Sequence, residues 1–353
     1  MNDVIFSGSG LGRFILHQDA SKIPLLWDRD NTVLVTDARV RTLHPYLFED
    51  RTTLVLAPGE KNKSMESVHW LYRKFMQCHV DRSRHIVGIG GGVICDLTGF
   101  AAATFLRGVP FSFVPTTLLA QVDASAGGKN GFNFGGYKNM VGTFAVPREV
   151  IINFDLLKTL PRKEILNGMA EIVKHALISD SRFFSWLERT GANLFHLKKA
   201  DLKRAVTASL IIKSDIVQKD LTDQGKRHVL NFGHTFGHAL ESRYGISHGE
   251  SVSVGMSLAC FISHSLGKLQ EVQHKRILTL MRRLDLPVHH AFNPEDILDA
   301  VSRDKKKQRD RIRFVGLSGI GRAEIMPLLI PQIRTFSEKY LQAPLQSGVK
   351  RYG

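Results

Sequence analysis

The sequence predicts an α/β N-terminal domain, Rossmann-like with a parallel sheet, followed by a mainly α-helical metal-binding domain. Three observations predict it. Short β-branched runs alternate with helical periodicity up to about residue 155. From residue 156 onward the periodicity is almost all helical. Residues 227–248 then carry a stripe of cation, amide and imidazole side chains.

Strands are expected at Thr32–Thr36, Thr52–Ala57, Ile86–Ile89, Phe111–Val114 and Val150–Ile152. Between the second and third, Met65, Val68, Tyr72 and Phe75 recur at helical spacing, so 65–79 reads as a helix. Strand, helix, strand is a βαβ unit and implies parallel pairing. Leu160-Pro161 marks the boundary, with proline near a helix start. Domains of 1–155 and 156–353 follow. Helices are expected at 162–179, 181–190, 199–219, 228–244, 249–268 and 271–284, with a short strand pair near 311–317 and 322–326. The tail from Gln342 reads as loose.

Composition excludes several classes. The chain has 353 residues, 43% hydrophobic and 23% charged, which suits a globular protein. It lacks the roughly 18 consecutive apolar residues of a membrane span. Its start, MNDVIFSGSG, has no basic region before an apolar run, so no secretory signal is expected. Cys78, Cys95 and Cys260 are odd in number and widely spaced, which suits a reducing, cytoplasmic setting. The net charge of +15 fits either nucleic acid or a small anionic substrate. The densest basic run, Lys305–Arg313, has no interleaved aromatics, so an anionic small molecule is expected and no nucleic-acid or membrane partner.

Four segments carry chemistry. Gly88-Ile89-Gly90-Gly91-Gly92 follows a strand and opens a helix, where bare backbone admits a pyrophosphate to the helix N-terminus. The spacing matches neither the dinucleotide fingerprint nor a P-loop, and a plain tight turn fits equally. Asp96, one turn on, can cap the helix or bond a ligand. Pro115-Thr116-Thr117 leads through Asp123 into a long glycine-rich loop, 127–139, bearing Lys129, Lys138 and Asn139. Glycines let backbone approach a ligand and lysines bind phosphate as point charges.

Glu171 and Lys174, three residues apart on a helix, read from spacing alone as a surface ion pair worth roughly 0.2–0.5 kcal/mol. Lys213, on an apolar stripe, either snorkels or meets a buried anion. Arg227, Asn231, His234 and His238 stand at i, i+4, i+7 and i+11, which on one helix is a single face. With His248 and one carboxylate, that face can hold a divalent metal, His238 counting equally as a ligand. Gly233 and Gly237 cost roughly 1 kcal/mol each inside a helix, so they imply close approach of another backbone or a ligand.

Together these segments resemble the 3-dehydroquinate synthase family of sugar-phosphate cyclases. The resemblance rests on GGGVICDLTGFAAATFLRG (90–108), PTTLLAQVDASAGGKNGFN (115–133), YKNMVGTF (137–144), LKTLP (157–161), GMAEIVKHALI (168–178), LNFGHTFGHALE (230–241), HGESVSVGM (248–256) and RDKK (303–306), in family order. It implies Zn2+ (or Co2+) on Glu171, His234 and His248, with His238 beside substrate instead. It implies NAD on Gly91, Gly92 and Asp96, near Thr116, Thr117, Leu157 and Thr159. Glu60 and Lys63 match adenosine-ribose positions, Asp37 a pyrophosphate one, and Lys129 and Lys138 reach both cofactor and substrate.

The resemblance further implies that substrate meets Asp123, Lys129, Lys138, Asn139, Lys174, Lys213, Arg227, Asn231, His238 and Lys305 or Lys306. Arg107 matches an arginine that reaches a neighbouring subunit, implying a homodimer. The implied reaction turns 3-deoxy-D-arabino-heptulosonate 7-phosphate into 3-dehydroquinate and phosphate, a step of the shikimate pathway. It proceeds by transient oxidation, β-elimination, reduction and aldol closure. Pro58, Cys95, Asn130, Leu221 and Asp223 depart from the family pattern. The alternative is a sister cyclase making an inosose or a valiolone.

Overall fold

The computed structural model describes residues 3–8, 11–302 and 311–342. The chain divides into two compact units, Met1–Ile165 with Leu197–Gln218, and Leu166–His196 with Lys219–Gly353.

In the first unit, β1 (Asp3–Gly8), β2 (Gly12–Leu16), β3 (Thr32–Asp37), β4 (Thr53–Leu56), β5 (His85–Gly90), β6 (Phe111–Pro115) and β9 (Glu149–Ile152) form one sheet in the order β1-β2-β9-β6-β5-β3-β4. Six strands run parallel and β1 pairs antiparallel with β2 at the edge. All five strands expected from sequence are present; β3, β5, β6 and β9 are buried on both faces, and β4 at the edge alternates. Leu34, Val87, Ile89, Val114 and Ile151 meet in one core under this sheet. From β3 the chain moves out to β4, then returns to β5 on the other side. The order therefore reverses at β3 and β5, and their carboxyl ends are where such sheets take ligands.

Helices from the first 165 residues join this sheet. They are α1 (Ala38–Leu43), α2 (Met65–Gln77) and α3 (Gly92–Thr104). The expected glycine-rich loop is a hairpin instead: β7 (Lys129–Phe134) pairs antiparallel with β8 (Tyr137–Phe144). Gly135 (φ 59°) and Gly136 (φ 80°) form its two-residue turn, the left-handed pair that matches strand twist. Asn130 closes the base, donating to the Gly128 and Ala145 carbonyls at 3.0 and 2.8 Å.

The helix expected at 199–219 is present as α6 (Lys199–Gln218, after α4 and α5 below), but it belongs to this unit rather than to the second domain. It is tied there by Lys213, whose ammonium donates to the Asp123 carbonyl at 2.6 Å.

The second unit takes most of α4 (Arg162–Ser179), with α5 (Ser181–Thr190), α7 (His234–Tyr244), α8 (His248–Ser265), α9 (Glu271–Arg283), α10 (Pro294–Ser302) and α11 (Ile330–Gln342). An antiparallel pair, β10 (Arg311–Gly319) and β11 (Arg322–Leu329), completes it. The helix expected over 228–244 is broken. Residues Lys226–Asn231 form a tight 3-10 turn, Phe232 is non-helical, and Gly233 is left-handed (φ 79°) before α7 begins. A side chain at 233 would meet the Met256 nitrogen and the Val252 oxygen at 2.9 Å. The close approach implied by Gly233 and Gly237 is thus the backbone of α8. Among the described residues no helix is long and apolar enough to cross a membrane.

Candidate active site

Glu171 is fully buried on α4 and is the hub of the second unit's polar cluster. Its Oε1 lies 2.9 Å from His248 Nε2 and 3.5 Å from His234 Nε2, and its other oxygen pairs with Lys174. The surface pair expected from spacing is therefore a buried one, with Lys174 only 2% exposed. Periodicity does not distinguish the two, since every residue of this helix from Asn167 to Ile178 is buried.

Local structure brings His248 to Glu171. Ser247 and Glu250 form a capping box that starts α8 at His248. The Gly249 N–H then donates to Asn167 Oδ1 at 2.8 Å, one turn before Glu171. A Cβ on Gly249 would stand 2.5 Å from the Asn167 Cα, so only glycine allows this approach.

Each imidazole is oriented by its far nitrogen. His234 Nδ1 is 3.2 Å from the Phe232 carbonyl, and His248 Nδ1 is 3.8 Å from Glu241. Both Nε2 atoms then face the carboxylate, the arrangement that fixes metal-ligating histidines. Burial holds His234 neutral, its pKa well below the ordinary range, and Lys174 adds to this. For His248 burial acts the same way, but hydrogen bonds to Glu171 and Glu241 outweigh it and raise the group to about 9.

The ligand atoms of Glu171, His234 and His248 all lie within 4.8 Å of one another. One carboxylate and two imidazoles suit a zinc-type ion bound at about 2.0–2.2 Å, with a fourth position open. His238 is not in this group. It is exposed, with its ring 5.2 Å from that of His234.

Arg227 is buried at 3% exposure, and its guanidinium donates to the Leu221 carbonyl at 3.0 Å. Asn231 lies 3.4 Å from His228. The broken helix means that Arg227 and Asn231 do not share a helical face with His234 and His238. Leu221 is exposed, and Asp223 lies 3.5 Å from His228. Lys305 and Lys306 lie outside the described residues.

In the first unit, Gly91 caps α3 with bare backbone and Gly92 opens it. A Cβ on Gly91 would meet Thr117 at 3.1 Å and one on Gly92 would meet Ala124 at 3.2 Å. Thr116 is buried and donates its N–H to the Gly90 carbonyl at 2.9 Å. Cys95 is buried, its sulfur 3.9 Å from that carbonyl. Asp96 pairs with Lys63; burial pushes its carboxyl up and Lys63 opposes this. Lys63 also donates to Asn139 Oδ1 at 2.5 Å. Asn133 links Asn139 to Glu60, accepting from the Asn139 N–H at 2.9 Å and donating to Glu60 at 2.8 Å. Glu60, Lys63, Asp96 and Asn139 therefore form one network.

Lys213 pairs with Asp123 at 2.9 Å, which resolves its position: it meets an anion. Asp37 caps α1, accepting from Val40 at 2.9 Å. Leu157 is buried, and Thr159 is exposed with its hydroxyl 3.1 Å from His44. Lys129, Lys138 and Arg107 are exposed, Arg107 in a left-handed conformation (φ 65°). The supporting residues Asn167 and His44 lie outside the segments that carry the resemblance, and Glu241, which ends one of them, has no role that spacing alone signals.

The fold is that of the sugar-phosphate cyclases. A 2-epi-5-epi-valiolone synthase from Streptomyces hygroscopicus subsp. jinggangensis, solved with NAD+ and Zn2+ bound, superposes with a TM-score of 0.88 at 28% identity, covering 94% of this chain and 97% of that one. A 2-deoxy-scyllo-inosose synthase complexed with carbaglucose-6-phosphate, NAD+ and Co2+ shares the fold at a TM-score of 0.79 and 22% identity, over 95% and 98% of the two chains.

Sequence narrows the class. The 3-dehydroquinate synthase N-terminal profile matches residues 53–167 and the C-terminal profile residues 168–307. The 3-dehydroquinate synthase of Neisseria meningitidis serogroup A is 42% identical over 277 residues, 77% of each chain. This chain belongs to the 3-dehydroquinate synthase family.

Proposed function

We propose that this chain converts 3-deoxy-D-arabino-heptulosonate 7-phosphate to 3-dehydroquinate and inorganic phosphate, as a step of aromatic amino acid biosynthesis. The 42% identity to a curated 3-dehydroquinate synthase over 77% of the chain carries this reading, against 28% to the valiolone synthase.

In the second unit, Glu171, His234 and His248 would hold Zn2+ or Co2+. In the first, Gly91, Gly92, Asp96 and Lys63 would hold NAD, with Glu60, Asp37, Thr116, Thr117, Leu157 and Thr159 around it. When bound, the divalent ion supplies Lewis acidity and the nicotinamide a reversible hydride acceptor.

The chain's own residues bind and orient. Arg227 is a planar donor for the substrate carboxylate. Lys129, Lys138, Asn139 and His238, with Lys305 or Lys306, suit the phosphate. Lys213, buried, and Asp123, half-buried, form an ion pair able to hold or pass a proton to substrate oxygens, and Lys174 supplies a second ammonium beside Glu171. Much of the rate enhancement then comes from orientation and charge neutralisation. A homodimer, with Arg107 presented to a partner copy, and a cytoplasmic setting complete the reading. The three free cysteines suit a reducing compartment.

Turnover compared on this substrate and on a sugar phosphate lacking the carboxylate tests the reading. A preference for the carboxylate substrate that Arg227→Ala abolishes supports it. Turnover only of the substrate without a carboxylate would assign the chain to a sister cyclase.

A further inference from the structure

We propose that Asp220 is the positioning residue that presents Arg227 to the substrate carboxylate; this rests on the role given to Arg227 above. Between α6 and the 226–231 turn the chain makes a tight loop in which one carboxylate collects three backbone donors. Asp220 Oδ1 accepts from the Gln224 N–H at 2.9 Å, and Oδ2 accepts from Gly225 at 2.6 Å and from Arg227 itself at 3.0 Å. The Arg227 guanidinium returns to the same stretch, donating to the Leu221 carbonyl at 3.0 Å. Both ends of Arg227, backbone and side chain, are thus referred to residues 220 and 221.

The loop needs an external organiser. Asp223 is left-handed (φ 59°) and Gly225 sits at φ −151°, ψ −98°, so no helical ladder runs through it. Its N–H groups converge on the carboxylate instead, a local side-chain substitute for backbone pairing. Accepting these bonds holds the Asp220 carboxyl down, to about 2, so it is ionised wherever the enzyme works. An amide in its place keeps one acceptor and turns an N–H2 donor toward the same amides. Asp220 bonds the loop backbone while Arg227 is the side chain offered to substrate, so its effect passes through Arg227.

The test uses the full chain loaded with Zn2+ and NAD+, in a double-mutant cycle on Asp220→Ala and Arg227→Ala, with Asp220→Asn as the milder variant. Asp220→Ala is expected to raise KM for 3-deoxy-D-arabino-heptulosonate 7-phosphate about tenfold, equivalent to about 1.4 kcal/mol. It should change kcat less and leave zinc content and NAD+ affinity unaltered. In the Arg227→Ala background it should add nothing further. Amide exchange at Gln224, Gly225 and Arg227 should quicken in Asp220→Asn, which keeps the test alive if the alanine variant folds poorly. An equal KM increase with and without Arg227 would overturn the proposal, as would an unchanged KM in both Asp220 variants while Arg227→Ala raises it. An unchanged KM in Arg227→Ala would remove the carboxylate assignment and this proposal with it, and so separates the two failures.

Discussion

Gly249 donates its backbone N–H to Asn167 Oδ1 at 2.8 Å, and this bond joins the first turn of α8 to α4 beside Glu171. It is the contact that places His248 within reach of the carboxylate. Asn167→Ala leaves that buried N–H without its acceptor, a loss of about 1–3 kcal/mol. Gly249→Ala forces a methyl group against the Asn167 backbone, and overpacking of this kind costs about 1–3 kcal/mol. Both variants are expected to bind less zinc in equilibrium dialysis as well as to melt earlier. Full zinc occupancy in a destabilised Gly249→Ala protein would separate the crossing from the metal cluster.

Glu241 stands behind His248, its carboxylate 3.8 Å from Nδ1. Replacing an outer carboxylate of this type lowers metal affinity by about 10–100-fold. Glu241→Gln is therefore expected to release zinc to a competing chelator at lower chelator concentration than the parent protein. His248→Ala should lose the ion outright. Equal chelator resistance in parent and Glu241→Gln would show that His248 is oriented by something else.

Lys63 and Asp96 form an ion pair whose side chains are 6% and 18% exposed. Removing one partner of such a pair costs about 3–5 kcal/mol, because the other charge is left buried. Lys63→Ala should lower the urea midpoint accordingly and weaken NAD+ binding. It should also loosen Asn139, which Lys63 holds. The double variant Lys63→Ala/Asp96→Ala should be more stable than Lys63→Ala alone. A double variant no more stable than the single would mean that the pair carries no such penalty.

His85 gives the stability a pH dependence of known sign. Burial, with Arg148 adding to it, pushes its imidazole down to about 4, against about 6.5 in an unfolded chain. Between those values the unfolded chain binds a proton that the folded chain does not. Stability therefore falls as pH drops from about 6.5 to about 4, and this contribution levels off below. His85→Gln, which keeps a partner for Ser112 at the same place, should flatten that part of the melting curve. An unaltered slope would assign the acid sensitivity to other groups.

The sheet was the most legible part of the chain. Strands such as Val33–Val35 and Ile86–Ile89 are buried on both faces, and an apolar β-branched run bounded by turn residues has little other reading. The stretch holding Gly135-Gly136 reads from sequence as a glycine-rich loop, because its glycines, lysines and amides mask the strand pattern on either side of the turn. The site was legible only in pieces. Spacing places His234 and His238 together, and Gly233 and Gly237 signal a close neighbour, but that this neighbour is α8 and that it breaks the helix at Phe232-Gly233 is visible only in the fold. Likewise nothing in Glu171-x-x-Lys174 tells a surface pair from a buried one. Asn167 meets Gly249 only across the fold, so its role emerges once α4 and α8 cross.

The most direct measurement is phosphate release from 3-deoxy-D-arabino-heptulosonate 7-phosphate by zinc-loaded protein with NAD+ held well below the substrate concentration. Many phosphates released per NAD+, with 3-dehydroquinate formed in equal amount and no NADH accumulating, is the result this account predicts. Release that stops at one phosphate per NAD+, or no release by protein that binds both zinc and NAD+, would contradict it.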